Sequence, residues 1–255
     1  MPDHIASPAD HGGSSVSSNW ILRALSADDY RRVRPHLRPQ QLPQQMVLYE
    51  PLEAIPDLCF VETGMISLVT TMKPRSSESA LVGFEGASGM SLFHRMPFAA
   101  ERAIVQAEGS GQLLSAEVLP ELLESCPSLV FRLHRFAFAL QSLSAQSAAC
   151  NNVHPTENRL AKWLLLVADR IRVSPLPLTH VFIAQMLGVR RSTVTITADV
   201  LRADGLIEYR RGKIKITDRE GLERKSCECY GALKRIYSAA MTQPAPTAGK
   251  VDAVA

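Results

Sequence analysis

Apolar and polar positions follow two rhythms along this chain, one typical of strands and the other of helices. In the first half, the apolar residues come in short runs that end at turn-forming residues. These runs cover residues 46–49, 58–62, 65–72, 79–84, 102–108 and 111–115. Thr63-Gly64 and Gly109-Ser110 separate neighbouring runs, and we interpret each pair as the turn of a β-hairpin. Short strands with turns about every ten residues favour a small β-barrel or roll.

A short helical signal precedes these strands, over about residues 19–39. Ser26 followed by Asp29 has the form of a capping box, in which a Ser side chain and an acidic side chain bond each other's backbone N–H. Val33 and Leu37 continue the apolar side at helical spacing. The pattern therefore predicts a helix that begins after Ser26 and includes Leu37.

The spacing becomes helical again from residue 116, and it predicts one long helix over residues 127–152. Its apolar positions alternate at intervals of four and three, which is the heptad pattern of helices that pair. The seam consists of Leu129, Leu133, Phe136, Leu140 and Leu143. Such a helix can line its own domain's core or pair with its twin in a homodimer. A second apolar side, at Val130, Phe138 and Ala139, would allow both, and we assign the seam to the dimer contact.

Residues 178–216 carry the strongest local signal. Thr179 is suited to cap a first helix, whose apolar face is formed by Ile183, Ala184 and Leu187. Gly188 then interrupts the pattern, and a second helix follows over residues 190–202. A helix, a tight turn at glycine and a second helix are typical of a helix-turn-helix.

The second helix opens with polar and basic side chains. They are Arg190, Arg191, Ser192, Thr193 and Thr195. A recognition helix enters the major groove by its N-terminal end, where Arg donates in pairs to guanine edges. Hydroxyl groups reach bases or phosphates, and the helix N-terminus itself favours a phosphate. We therefore expect these five residues, together with Thr179, to contact DNA.

A β-hairpin with a basic tip follows the second helix. Gly205 ends the helix, and residues 206–209 and 214–216 read as two short strands. The turn between them carries Arg210, Arg211 and Lys213. Cations at such a tip can lie along the sugar-phosphate backbone, as in the wing of a winged helix.

The charge distribution changes the meaning of an ordinary composition. The chain has 255 residues, of which 46% are hydrophobic and 21% charged, and its formal net charge is +3. These values exclude a histone-like basic protein and an acidic disordered one. However, residues 151–217 hold 11 Lys and Arg against 5 Asp and Glu, so this segment carries 11 − 5 = +6 and the remainder carries 3 − 6 = −3. The basic charge is concentrated where the DNA contacts are predicted.

Several classes of protein are excluded by what the chain contains. The longest apolar run covers only residues 163–168, which is too short to span a membrane. Residues 1–18 lack the basic start and apolar stretch of a secretory signal, so we expect a cytoplasmic protein without a membrane partner. Residues 1–18 and 242–255 have the composition of disordered tails.

The five cysteines are scattered and odd in number, which argues against a disulfide framework. Cys227 and Cys229 are separated by one residue, whereas structural zinc sites usually space paired cysteines by two to four and need a second pair of ligands. We therefore expect reduced thiols here and no metal site. A redox role for the two thiols stays open.

These parts, in this order, resemble the CRP/FNR superfamily of bacterial transcription regulators. Residues 184–194 resemble the centre of the family's winged helix, residues 60–69 its sensory β-roll and residues 127–152 its dimerisation helix. The resemblance implies an α+β fold. Its parts would be an N-terminal β-roll (a double-stranded β-helix or jelly roll of the cyclic-nucleotide-binding type), a long dimerisation helix and a C-terminal winged helix-turn-helix.

The resemblance also implies a domain order and a function. The sensory β-roll would cover residues 19–126, the dimerisation helix 127–152 and the DNA-binding domain 153–241. The partners implied are double-stranded DNA, a second copy of the chain and RNA polymerase. The function implied is a homodimeric transcription regulator that reads a palindromic operator through residues 190–202.

The cyclic-nucleotide cassette of the family is incomplete in this chain. In the family a Gly-Glu pair holds the ribose and a later Arg-Ser or Arg-Thr pair holds the cyclic phosphate. Here Met90 stands at the carboxylate position, Arg102 is retained and Ala103 replaces the hydroxyl. The candidate effector pocket thus consists of Gly89, Met90, Ser91, Arg102 and Ala103. It argues against a cyclic nucleotide and leaves the effector open, and no cysteine precedes Cys59 to hold the family's iron-sulfur cluster.

Two alternatives to this function remain. The chain could be a regulator that depends on cAMP or another cyclic nucleotide, or a small-molecule receptor that acts through a partner protein. The basic helix and wing argue against the receptor, which has no use for them. We do not expect an enzyme, because the chain shows no Ser-His-Asp grouping, metal-ligand cluster or phosphate-binding loop.

Overall fold

The structure is a computed structural model that describes residues 17–72 and 75–242. The predicted tails, 1–18 and 242–255, lie outside the described residues except for Ser17, Ser18 and Thr242. Among the described helices, none has the length and apolar character needed to cross a membrane.

The chain folds into an antiparallel β domain followed by a helical domain with a small hairpin. The strands are β1 (Leu37–Leu42), β2 (Val47–Tyr49), β3 (Asp57–Met72), β4 (Arg75–Val82), β5 (Ala87–Ser88), β6 (Arg102–Ser115), β7 (Ile207–Arg210) and β8 (Lys213–Ile216). The helices are α1 (Trp20–Arg23), α2 (Ala27–Val33), α3 (Leu119–Ser125), α4 (Pro127–Val153), α5 (Thr156–Ile171), α6 (His180–Leu187), α7 (Arg191–Ala203), α8 (Arg219–Lys225) and α9 (Cys229–Thr242). The α+β fold, with a β-roll, a long helix and a C-terminal helix-turn-helix, is confirmed.

Two long strands, β3 and β6, form the centre of the roll. They pair with each other antiparallel along most of their length, while β1 and β2 pair with β6, and β4 and β5 pair with β3. The prediction of hairpin turns at Thr63-Gly64 and Gly109-Ser110 is wrong. Each strand continues through its glycine, and Thr63 lies opposite Ser110 in the ladder.

Glycine is needed at these two positions because the two backbones approach closely there. A Cβ atom on Gly64 would lie 2.5 Å from the carbonyl oxygen of Ala107, and one on Gly109 would lie 2.1 Å from the carbonyl oxygen of Thr63. Gly64 also has a φ of +80°, which residues with a side chain rarely adopt. The glycines therefore mark bulges in paired strands, where the register shifts, and not chain reversals.

The first helices attach the N-terminal segment to α4. Ser26 caps α2 as predicted, since its Oγ accepts from the backbone N of Asp29 at 3.1 Å. The Asp29 carboxylate does not close the capping box. It accepts instead from the backbone N and the Oγ of Ser128, at 2.8 and 2.6 Å, at the start of α4. The helix ends at Val33, and Leu37, which we expected in the helix, begins β1.

The heptad seam of α4 lies in the chain's own core. Leu129, Leu133 and Phe136 are fully buried, Leu143 nearly so, and Leu140 is half-buried. These side chains already face their own domain and are not free to meet a twin helix. The assignment of this seam to the dimer contact is therefore corrected in favour of the own-core interpretation, since an apolar heptad looks the same in both settings.

The helical domain is attached to the roll by one partly buried and one buried polar contact. Trp163 on α5 donates its Nε1–H to Oε1 of Glu78 on β4 at 2.7 Å. Arg170, also on α5, pairs with Glu85 at 2.7 Å between its Nε and the carboxylate, and both side chains are buried. Burial acts to lower the pKa of Arg170, but the Glu85 carboxylate overcomes it and raises the pKa. These contacts fix the position of the domain that carries the candidate site.

Candidate nucleic-acid interface

The helix-turn-helix is built from α6, a turn and α7. Thr179 caps α6 as predicted, since its Oγ1 accepts from the backbone N of Phe182 at 3.2 Å. Gly188 ends α6 with a φ of +66°, and Val189 then donates its N–H to the carbonyl of Ala184 at 3.0 Å. This left-handed residue closes the helix and redirects the chain toward α7, which is the role of a C-terminal glycine.

The inward side of the two helices is apolar. It consists of Ile183, Ala184, Met186, Leu187, Val194, Ala198 and Leu201, all of which are buried. Thr197 is also buried on this side and donates its Oγ1–H to the carbonyl of Thr193 at 2.8 Å. Burial of this side orients α7, so that its remaining positions face outward.

The outward side of α7 carries the residues predicted to contact DNA. Arg190, Arg191, Ser192 and Thr195 are exposed, and Thr193 is half-buried at the edge. The sequence analysis missed Ile196, which is 67% exposed on the same helix. An exposed apolar side chain beside exposed arginines can contact a thymine methyl group in the major groove. Its position outside the buried stripe was the signal that could have identified it.

The wing is a tight hairpin of β7 and β8. Arg211 and Gly212 form its two-residue turn, with φ values of 48° and 76°, as expected for a hairpin turn that follows the strand twist. Arg210, Arg211 and Lys213 are exposed at this tip. Across the described ranges, these three cations and Arg190 and Arg191 form no ion pair with a carboxylate, so all five are available to an anionic partner.

His180 joins the three parts of this surface, and the sequence analysis did not single it out. Its ring stacks on Tyr209 of the wing with centroids 4.1 Å apart, and its Nδ1 lies 3.0 Å from Oγ1 of Thr195 on α7. Partial burial lowers the pKa of His180 by more than the nearby Asp199 carboxylate raises it, so the ring is neutral near pH 7. The stack holds α6, α7 and the wing next to one another.

In the roll, two of the five predicted effector residues, Gly89 and Arg102, have polar partners within the chain. Arg102 donates to Oε1 of Glu50 through its Nε and Nη2, at 3.0 and 2.6 Å. Gly89 donates its N–H to the hydroxyl oxygen of Tyr49 at 3.3 Å, and burial raises the pKa of Tyr49 to about 12. Met90 and Ala103 are buried, and Ser91 is half-buried. The one cation of the predicted pocket is therefore already paired with a carboxylate.

A second cluster of chemically reactive side chains lies at the domain junction. Cys150, His154, Cys227 and Cys229 each offer one ligand atom, and these four atoms all lie within 4.8 Å of one another. Cys150 and Cys229 are fully buried and Cys227 nearly so. Sequence spacing offered Cys227 and Cys229 no second pair of ligands, but the fold brings Cys150 and His154 beside them. The second pair of ligands comes from the end of α4, far away in sequence.

Comparison with known families identifies the helical domain. Residues 158–225 match the family described as the Crp-like helix-turn-helix domain. This range begins within α5 and ends with α8, so it contains the helix-turn-helix and the wing. No curated protein matches the chain in sequence.

Solved structures share the fold over about three quarters of this chain, at low sequence identity. The c-di-GMP-responsive global regulator CLP of Xanthomonas campestris is 16% identical, and the match covers 76% of this chain and 100% of CLP with a TM-score of 0.64. FixK2 of Bradyrhizobium japonicum is 16% identical over 75% of this chain and 98% of its own, with a TM-score of 0.65. The CRP-family regulator TTHB099 of Thermus thermophilus is 21% identical over 73% and 96%, with a TM-score of 0.60.

Proposed function

The chain has the fold of CRP/FNR-type transcription regulators and a Crp-like helix-turn-helix over residues 158–225, and we propose that it is a sequence-specific, DNA-binding regulator of transcription. One observation carries the proposal. Five exposed arginine and lysine side chains without carboxylate partners in the described ranges lie on α7 and the adjoining wing. Exposed cations on a recognition helix can contact base edges, and those on a neighbouring hairpin can contact the adjacent phosphates.

The two groups of cations have different roles in this proposal. Arg190 and Arg191, at the start of α7, read base edges together with Ser192 and Thr195. Arg210, Arg211 and Lys213, at the tip of the wing, neutralise phosphates and set the position of the domain on the duplex. Base contacts determine which sequence is bound, whereas phosphate contacts determine mainly how tightly any duplex is bound.

We further propose that the regulator is a homodimer that reads a palindromic operator. The outer side of α4 repeats its own heptad at His134, Phe138, Gln141, Ala145 and Ala148, all of them exposed. Phe138 is 61% exposed, and the two alanines would let a second helix approach closely. A twofold dimer through this side would present two α7 helices to successive major grooves about 34 Å apart.

The dimer contact is tested by Phe138→Glu. Buried in a helix pair, this carboxylate would have no partner, so the variant should be monomeric in light scattering and should lose most of its affinity for a palindromic site. Met96→Glu is the matched control, because Met96 is 45% exposed on the roll and should leave the dimer intact. A dimer that survives Phe138→Glu would refute this interface.

For the roll we propose that no cyclic nucleotide is bound. The Glu50 carboxylate forms an ion pair with the guanidinium of Arg102, which is the group that would bind a cyclic phosphate. Met90 occupies the position of the carboxylate that would bind the ribose. Titration calorimetry with cAMP, cGMP and c-di-GMP should detect no binding. Binding of any of the three would restore the alternative of a nucleotide-dependent regulator.

We also expect no enzymatic activity, and we propose that the protein acts on DNA and RNA polymerase in the cytoplasm.

The DNA-binding role is tested by selecting bound fragments from a genomic library and then comparing two variants. Arg191→Ala should weaken binding to the selected site by about 1–3 kcal/mol while leaving binding to unrelated duplex nearly unchanged. If affinity and base preference both stay at the wild-type level, Arg191 does not read bases. Absence of any enriched sequence would instead favour the receptor that acts through a partner protein.

Lys213→Ala tests the phosphate contacts of the wing. Each phosphate neutralised contributes about 0.9 to the slope of log affinity against log salt concentration, so the variant should have a slope smaller by about 0.9 per bound chain. Base preference should not change. Lys234→Ala removes an exposed lysine from α9 and serves as the control, whose slope should equal that of the wild type.

A further inference from the structure

Three cysteines and a histidine meet where α4 ends and α9 begins. Cys150 lies one turn before the end of α4, and His154, which caps that helix, donates its backbone N–H to the carbonyl of Cys150 at 3.0 Å. Cys227 precedes α9 and Cys229 is its first residue. The three thiols pack on one another, apart from the chain's main apolar core. We propose that these four residues bind one zinc ion as a Cys₃His structural site.

The distances fit a tetrahedral zinc ion and not a disulfide. Sγ of Cys150 lies 3.6 Å from Sγ of Cys227, and Sγ of Cys229 lies 3.6 Å from Nδ1 of His154. Zinc bonds of about 2.3 Å to sulfur and about 2.0 Å to nitrogen place two tetrahedral ligands ~3.6–3.8 Å apart. A disulfide requires sulfur atoms about 2 Å apart. Two of the six pairs of ligand atoms thus already have the separation that a bound ion imposes, and all six pairs lie within 4.8 Å.

The surrounding residues orient the ligands as zinc sites require. Nε2 of His154 lies 3.1 Å from Oε1 of Glu228, which leaves Nδ1 free to face the thiols. A carboxylate on the far nitrogen is the usual partner of a metal-bound histidine, since it fixes the tautomer and the ring orientation. Gln146 donates its Nε2–H to Sγ of Cys229 at 3.0 Å, a bond that a thiolate accepts better than a thiol.

A buried lysine completes the charge balance. Lys162 on α5 is 5% exposed, and its Nζ lies 3.4 Å from Sγ of Cys150. Lysine is rarely buried without an anionic partner, and a neutral thiol is a weak acceptor. Three thiolates, a neutral imidazole and Zn²⁺ carry a net charge of −1, which one ammonium group neutralises. The site and Lys162 together are then electrically neutral in the interior.

Binding at this site involves acid–base chemistry only. Zn²⁺ replaces the thiol protons of Cys150, Cys227 and Cys229, which pass to solvent, and forms four coordinate bonds without any change of oxidation state. The bonds join segments 77 residues apart in sequence, the end of α4 and the start of α9. Zinc therefore fastens the last helix of the DNA-binding domain to the long helix that we assign to the dimer.

Metal content tests the proposal directly. The full chain, purified under reducing conditions from cells supplied with zinc, should contain about one zinc per chain by mass spectrometry. Cys229→Ser should lower this content to a small fraction, whereas Cys126→Ser, at a buried free thiol elsewhere, should leave it unchanged. Replacement of zinc by Co²⁺ should give the intense visible bands of a tetrahedral cobalt thiolate in the wild type and in Cys126→Ser, but not in Cys229→Ser.

A conservative variant separates loss of metal from loss of fold. Glu228 has an exposed side chain, so Glu228→Gln should fold normally yet raise the zinc dissociation constant by about 10–100-fold, as measured by competition with a chelator. Four results would overturn the proposal. They are the absence of zinc from well-folded wild-type protein, zinc that persists in Cys229→Ser, iron with acid-labile sulfide in place of zinc, and a complete Cys150–Cys227 disulfide.

Discussion

Replacing Glu78 with glutamine should stabilise the folded chain at and above pH 7. Glu78 lies on β4 where α5 meets the roll. Its Oε1 accepts from Nε1 of Trp163, while its Oε2 is buried without a hydrogen-bond partner among the described residues. Burial raises the pKa of Glu78 from 4.5 to about 7, and the nearby polar groups of Ser67 and Trp163 oppose this rise only in part. A buried carboxyl with one satisfied oxygen is more stable when it keeps its proton.

The sign of the pH dependence follows from the proton count. Between pH 4.5 and about 7, the folded chain holds the Glu78 proton and the unfolded chain has lost it. The folded state therefore binds more protons, so the free energy of unfolding decreases as the pH rises through this window. At 1.36 kcal/mol per pKa unit, the loss reaches ~3 kcal/mol above pH 7, an upper value for a group that solvent partly reaches.

The assay is urea unfolding of wild type and Glu78→Gln at pH 5 and pH 8. The amide keeps the acceptor for Trp163 and carries no charge at either pH, so the two proteins should differ little at pH 5. At pH 8 the variant should be more stable, by up to ~3 kcal/mol. Glu108→Gln, at an exposed position of β6, controls for the loss of a surface charge. Equal pH dependence of wild type and Glu78→Gln would refute the reasoning, as would a variant that is less stable at pH 8.

Three further substitutions test contacts that the fold depends on. Gly109→Ala should destabilise the roll by ~3 kcal/mol or more in urea unfolding, because its Cβ would lie 2.1 Å from the carbonyl oxygen of Thr63; a normal midpoint would contradict this. Glu85→Ala should cost about 3–5 kcal/mol, since it leaves the Arg170 guanidinium buried without its anion, and a loss below ~1 kcal/mol would show that water reaches the arginine. Thr179→Ala removes the cap of α6 and should lower the free energy of unfolding by about 1 kcal/mol, measured as a lower urea midpoint. An unchanged midpoint would show that the cap contributes nothing.

The sequence by itself determined the helix-turn-helix domain, because its signals are local. The cap at Thr179, the left-handed glycine at Gly188, the spacing of the buried stripe and the tip of the wing all depend on residues within a few positions of one another. Such patterns express steric limits of the backbone and the period of a helix, which act in the same way in any surroundings. The predicted helices, turn and hairpin are therefore present, and the basic residues lie outside.

The arrangement of the roll and of α4 depended on tertiary contacts. Gly64 and Gly109 have the local signature of turns, but they serve where two strands come too close for a Cβ atom. The seam that includes Leu133 has the signature of a dimer helix, but it is buried in its own domain. In both cases one local pattern is compatible with two different structures, and only the residues that pack against the segment decide which of them forms.

The Cys/His cluster shows the same limit most clearly. Cys227 and Cys229 have too few ligands near them in sequence to indicate a metal site. Cys150 and His154 lie at the end of a helix whose residue pattern indicates only packing. The fold brings the two pairs within 4.8 Å. A ligand set is defined by distance in space, and sequence spacing reports that distance only when all ligands lie on one short segment. Here they lie on two segments, so the packing of α9 beside α4 creates the site.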